Sequence, residues 1–128
     1  MTANNIIPTY KDDQKAIRAL ANADESQIIS AADELLEWMQ DGNWPVSLPI
    51  GKILSKHLDK ITSKIVAILQ GNDSAWKYCC IRFLLMNLKL SQIPVPILDE
   101  LKRIEVKPTV SDILEETVEA VKEILSGY

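Results

Sequence analysis

The sequence predicts an all-α protein of about seven helices, on three observations. Apolar residues recur at three- and four-residue spacing through most of its 128 positions, and β-branched alternation is almost absent. Glycine and proline are sparse, at four and six, so few breaks interrupt that spacing. The composition, 47% hydrophobic and 25% charged, is that of a globular chain rather than a disordered one. A chain of this size can bury roughly two-thirds of the surface its unfolded form exposes. Residues 1–128 are therefore read as one domain, with 1–11 as a poorly ordered or loosely packed N-terminal segment.

The elements follow in order. A short first helix runs from about Asp12 to Ala21, with Asp12 and Asp13 at its positive end. Asp24 and Gln27 have capping-box spacing and open a second helix. In it Ile28, Ala32, Leu35, Leu36 and Met39 share one face, Asp33, Glu34 and Glu37 lie opposite, and Trp38 falls at the edge of the apolar arc. Pro45 and Pro49 confine "NWPVSLP" to a helix N-terminus or an irregular segment, so a third helix begins between Val46 and Ile50. From there to Gln70 the apolar period shows no slip, which on periodicity alone means one rod of roughly 30 Å at 1.5 Å per residue.

Gly71 stops that stretch, and Asp73 or Ser74 caps the next. "AWKYCCIRFLLMNL" has only Lys77, Arg82 and Asn87 as strongly polar members, scattered around it, so it should be the buried central helix. Pro94 and Pro96 lead into a sixth helix. The last, capped by Thr109 or Ser111, should be one-sided. Ile113, Leu114, Val118, Val121, Ile124 and Leu125 fill an arc of roughly 140°, with Glu115, Glu116, Glu119 and Glu123 outside it. Such a helix suits an outer layer.

Several function classes have little support. The single histidine, His57, and the adjacent Cys79 and Cys80 give no metal-ligand spacing, because neighbouring helical residues point about 100° apart. Thiols in the most apolar helix lack the exposed, electropositive setting a nucleophile needs. There is no glycine-rich phosphate loop. No catalytic residues, cofactor or metal are expected, and the reading is non-enzymatic. Lys52, Lys56, Lys60 and Lys64 recur every four residues and could form a basic stripe. Asp59 lies beside them and no aromatic residue is interleaved, so a solvent face is the plainer reading and no nucleic-acid partner is expected. The net charge of −4 belongs to the last segment: six acids against two bases from Glu105 onward, with residues 1–104 neutral as a block. No apolar run nears the ~20 residues of a membrane span. The N-terminus has no basic region followed by an apolar core, so a cytoplasmic protein is expected.

Two segments carry a resemblance. "VAILQGNDSAWKYCCIRFLL" resembles the joint between successive HEAT-type repeats, a helix, a short Gly/Asp turn and an inward-facing helix. Glu34, Leu35, Leu36, Glu37, Trp38, Gln40, Asp41, Asn43, Trp44, Pro45 and Val46 form a box. With the later Asp73–Trp76–Lys77–Tyr78 segment, that box is similar to a small uncharacterised bacterial domain family. The likeness extends from about Ile28 to Ile124. It implies stacked antiparallel HEAT-like helix pairs, in a short α-solenoid or compact bundle, and no reaction. It also implies a turn between Lys56 and Lys60, against the unbroken periodicity. We adopt the turn, because a domain of this size rarely accommodates one much longer rod, and Asp59 could cap the helix that follows.

The Trp38–Trp44 segment has two readings. As an inter-helix corner, Trp44 is pushed towards an extended backbone by Pro45 and plugs the space between helix pairs, while Asp41 or Asn43 caps a helix. As a site, Trp38, Asp41, Asn43 and Trp76 line a groove with an aromatic floor and a polar rim. The acidic final helix, through Glu115, Glu116 and Glu119, is a second candidate surface, suited to a basic target. Helix pairs offer extended surfaces to other macromolecules. The expected function is accordingly a protein-interaction or adaptor module with an unknown protein partner, one form being a toxin-neutralising, immunity-type protein. The alternative is a small-molecule-binding domain or enzyme using the Trp38–Trp44 corner.

Overall fold

A computed structural model describes residues 3–127. The described residues form nine α-helices and four short 3₁₀ segments, with no strand among them. The helices are α1 (Gln14–Ala21), α2 (Glu25–Ser30), α3 (Ala32–Glu37), α4 (Ser47–Leu54), α5 (Thr62–Gln70), α6 (Ser74–Phe83), α7 (Val95–Val106), α8 (Val110–Leu114) and α9 (Thr117–Leu125). The increase from seven to nine has two sources. The expected second helix is kinked at Ala31 into α2 and α3, and the expected last helix is broken into α8 and α9.

Four of the nine described helix starts carry a side-chain cap that the local sequence signals. Asp24 accepts from the Gln27 N–H while the Gln27 side chain accepts from the Asp24 N–H, completing the capping box. Asp13, Asp73 and Thr109 cap α1, α6 and α8 through their side chains. The kink at Ala31 leaves the apolar face continuous: Ile28, Ala32, Leu35, Leu36 and Met39 are all buried.

The stretch from 47 to 70 is not one rod. A 3₁₀ segment, Ser55–Lys60, separates α4 from α5, and His57 sits outside helical geometry at φ −122°, ψ 21°. The turn implied by the resemblance is present. The cap assigned to Asp59 is not: α5 has no side-chain cap, and Thr62 Oγ1 donates back to the Leu58 carbonyl instead. The period survived because Leu58, Ile61 and Ile65 all stay in the core across the bend. A 3₁₀ turn advances the chain without rotating its apolar side out of contact.

α6 is the centre, packed by α4, α5, α8 and α9, and every residue from 74 to 86 is buried or half-buried. α7 covers α5 and α9. On the other flank α1 and α3 pack on α4. Gly51 makes the α4–α6 crossing possible: a Cβ there would lie 2.4 Å from the Phe83 carbonyl oxygen. Residues 1 and 2 of the N-terminal segment lie outside the described residues. Where residues 5–11 are described, packing is closer than the expected looseness. Ile6 is 2% exposed in the core, and the Lys11 carbonyl accepts from the Val46 N–H. No described helix is long and apolar enough to cross a membrane.

Candidate functional site

The corner at 38–47 is closed by a serine. Ser47 is fully buried, and its hydroxyl lies 2.7 Å from both the Trp38 and Asp41 carbonyl oxygens, so it can donate to either. Asp41 is half-buried and accepts from the Asn43 N–H at 2.8 Å, which makes a side-chain-stabilised turn rather than a helix cap. α4 begins after Val46 with no side-chain cap, so the capping role foreseen for Asp41 or Asn43 is not the one they play. The Trp38 and Trp44 rings pack on each other, centroids 5.3 Å apart and tilted by 59°, and both lean on the core. Tilted pairs at this separation are a favoured aromatic geometry.

Trp76 is elsewhere. Its indole N–H donates to the Leu36 carbonyl at 2.9 Å, tying α6 to α3. Its ring lines a separate groove of about 440 Å³ with Leu36, Ala67 and Ile68, and the Lys64–Asp33 ion pair lies at that groove's edge. The four residues expected to form one groove, Trp38, Asp41, Asn43 and Trp76, are thus not brought together. Trp76 lines this groove, while Trp38 packs on Trp44 and lines neither it nor the one that holds Asp41 and Asn43.

The structure instead joins the two candidate surfaces that the sequence kept apart. Asp41 and Asn43 share a groove of about 450 Å³ with Glu115 and Glu116, walled by Tyr78 and Cys79. Glu119 stays exposed further along α9 and does not line it. Among the described residues Asp41, Glu115, Glu116 and Glu119 make no ion pair, whereas Glu123 is taken up by Arg82. Several uncompensated carboxylates around a concave surface concentrate negative potential there and favour a cationic visitor. Gly42 lets this wall close in, because a Cβ there would lie 3.1 Å from Cys79 Sγ. Burial pushes the Cys79 thiol up to about 11, with the Asp41 charge adding to it and a hydrogen bond from the Gly42 N–H opposing. Cys80, deeper still, is raised further by burial. Neither is a poised thiolate. Among the described residues no three His, Cys, Asp or Glu side chains are placed to hold a metal.

α8 runs directly into Glu115 and Glu116, which line that groove, and it is packed inside out. Its one charged residue, Asp112, is 0% exposed, while Val110, Ile113 and Leu114 are 72%, 55% and 75% exposed, alongside exposed Ser111. The carboxylate accounts for this. Asp112 completes the capping box with Thr109, and its Oδ1 also accepts from Ser74 Oγ at 2.6 Å and from Lys77 Nζ at 3.1 Å. Lys77, in the middle of the central helix, is only 2% exposed. Burial alone would raise the Asp112 carboxyl. The hydrogen bonds from Ser74 and Thr109 and the Lys77 ammonium outweigh that and hold it below its ordinary value of 3.8. α8 is thus held to α6 by a buried ion pair, and its apolar side is left facing out. The phase is reset immediately afterwards, where Glu116 adopts left-handed φ 61°, ψ 20°. From Thr117 onward Val118, Val121 and Ile124 are buried as expected. Ile113 and Leu114, placed by the continuous wheel in the same buried arc, are not.

The signals for α8 were present but pointed two ways. "TVSD" has capping-box spacing, and a lone lysine in an otherwise apolar helix calls for a buried partner; nothing local pairs Lys77 with a residue 35 positions away.

A protein-family model described as a domain of unknown function matches residues 6–125, which takes in both the Glu34–Val46 box and the Asp73–Tyr78 segment. No curated protein matches the chain.

Proposed function

The chain belongs to that family, DUF5071, whose description names no activity, and on this premise we propose that it is a non-enzymatic protein-interaction module. The contact surface is the outward side of α8 together with the acidic groove beside it. The observation that carries the reading is the inversion of α8: three large apolar side chains sit in solvent, adjoining Glu115 and Glu116. Exposed apolar clusters rimmed by polar groups mark interaction surfaces. The charge selects the partner. A symmetric contact with a second copy would bring Glu115 and Glu116 against their own equivalents, so the surface fits a different protein with an apolar centre and a basic rim. A toxin-neutralising partner of the immunity type is one form such a module takes, and HEAT-like helix pairs would suit it by offering an extended face. The alternative of a small-molecule site between Trp38 and Trp44 has less to support it, because the two rings pack on each other.

The test is capture from source-cell lysate at near-physiological salt, with three baits. One is the wild type, one carries Glu115→Lys and Glu116→Lys, and one carries Ile113→Ser and Leu114→Ser. All four side chains are exposed, so folding should be retained. The reading expects one protein held by the wild type and lost by both variants. A partner retained equally by all three baits, or a bound metabolite with no protein, would contradict it.

A further inference from the structure

We propose that the groove at the α4–α5 bend binds a small organic phosphate. This site shares no residue with the α8 surface and stands independently of the interaction reading. It rests on the lysine repeat, which the bend divides into two pairs. Lys60 approaches Asp59 at 4.0 Å and Lys64 meets Asp33 at 2.9 Å. Lys52 and Lys56 make no ion pair among the described residues, and both line a cavity of about 590 Å³, within the range of small-ligand sites.

The other walls supply what a phosphate ester needs. Gln92 lines the same cavity, and its Oε1 accepts from the Lys89 N–H at 2.8 Å. That bond fixes the amide and leaves its Nε2 hydrogens for a ligand. Asn87 contributes shape rather than donors, since its amide nitrogen already donates to the Phe83 and Leu84 carbonyls. Leu58, 4% exposed, and half-buried Leu88 give an apolar wall for the carbon part of the ligand.

Charge then separates phosphate from carboxylate. A phosphate monoester carries about −1.5 to −2 near neutral pH and three strong acceptor oxygens, matching two ammonium groups and one amide. A carboxylate offers one charge and two acceptor oxygens, a poorer match to that set of three donors. Asp59 also lines the cavity, so it opposes any anion and sets a lower limit on the charge worth binding.

The experiment is a titration of the ¹⁵N-labelled full chain with phenyl phosphate, followed by amide shifts, with benzoate and benzyl alcohol as parallel probes. Saturable shifts are expected over residues 52–59 and 87–92. Lys52→Gln and Lys56→Gln should each weaken binding about tenfold, the effect of losing one charge-assisted hydrogen bond. Asp59→Asn should tighten binding severalfold, which a merely apolar groove would not do. Benzoate should bind more weakly and benzyl alcohol not at all. All three substituted residues are exposed, and unchanged amide shifts outside the groove will show that each variant is folded. The proposal is overturned by a response that does not saturate, by affinity indifferent to both lysines, or by benzyl alcohol binding equally well. A short DNA duplex giving the same footprint at lower concentration would also overturn it, in favour of a nucleic-acid surface.

Discussion

Lys77 and Asp112 are the two side chains on which the candidate surface depends. Removing one partner of a buried pair leaves the other charge uncompensated, at a cost of about 3–5 kcal/mol. Lys77→Met should therefore destabilise the protein by that order in urea unfolding, and Lys77→Met with Asp112→Asn by less than the sum of the two singles. The acid dependence has a definite sign. The Asp112 carboxyl is held below its ordinary 3.8, so its contribution is fully present above that value and is lost as pH falls through the folded pKa. Below 3.8, Asp112→Asn should lose less stability per pH unit than the wild type. The cysteines give a second check at this scale. With Cys79 raised to about 11 by burial and Cys80 pushed higher, a thiol reagent at neutral pH should modify neither in the native protein. Both should react once urea unfolds it.

At the scale of elements, two backbone positions carry the arrangement. Gly51 brings α4 against the end of α6, where an added Cβ would meet a main-chain carbonyl that cannot swing aside. Gly51→Ala should cost at least the ~1–3 kcal/mol of ordinary overpacking, read from the shift in unfolding midpoint. Glu116 holds the left-handed conformation that resets the phase between α8 and α9, and for an L-residue this costs roughly 1–2 kcal/mol. Glu116→Gly should raise stability, while removing one carboxylate should weaken capture of the basic partner. A variant that is more stable yet binds less well would show that the Glu116 carboxylate serves the surface at a cost to the fold. The breaks are also where sequence reading fell short. The capping signals at Asp24, Asp73 and Thr109 were legible because a cap is a contact three residues long. The bends at Ala31 and His57 left no mark on the period, since the apolar side stays in the core through each. The break at Glu116 was hidden for another reason. It depends on Asp112 finding Lys77 across the core, and a helical wheel carries no information about partners on another helix.

For the molecule as a whole, the all-helical class and the central place of α6 followed from spacing alone, because burial in a helical protein imposes a period on each helix. The site was only half legible. Asp41, Asn43, Glu115 and Glu116 could each be singled out from composition and position, but their meeting in one groove depends on how α8 and α9 pack against α6. Trp76 was drawn to the wrong group by its chemistry alone; the Leu36 carbonyl that receives its N–H places it in another groove.

The most direct test is an amide-shift footprint of the captured partner on the ¹⁵N-labelled protein. The account predicts perturbation concentrated over residues 40–43 and 110–119, with the Trp76 groove and the α4–α5 bend unmoved. A footprint centred on Trp76, or one that leaves Val110, Ile113 and Leu114 untouched, would contradict it.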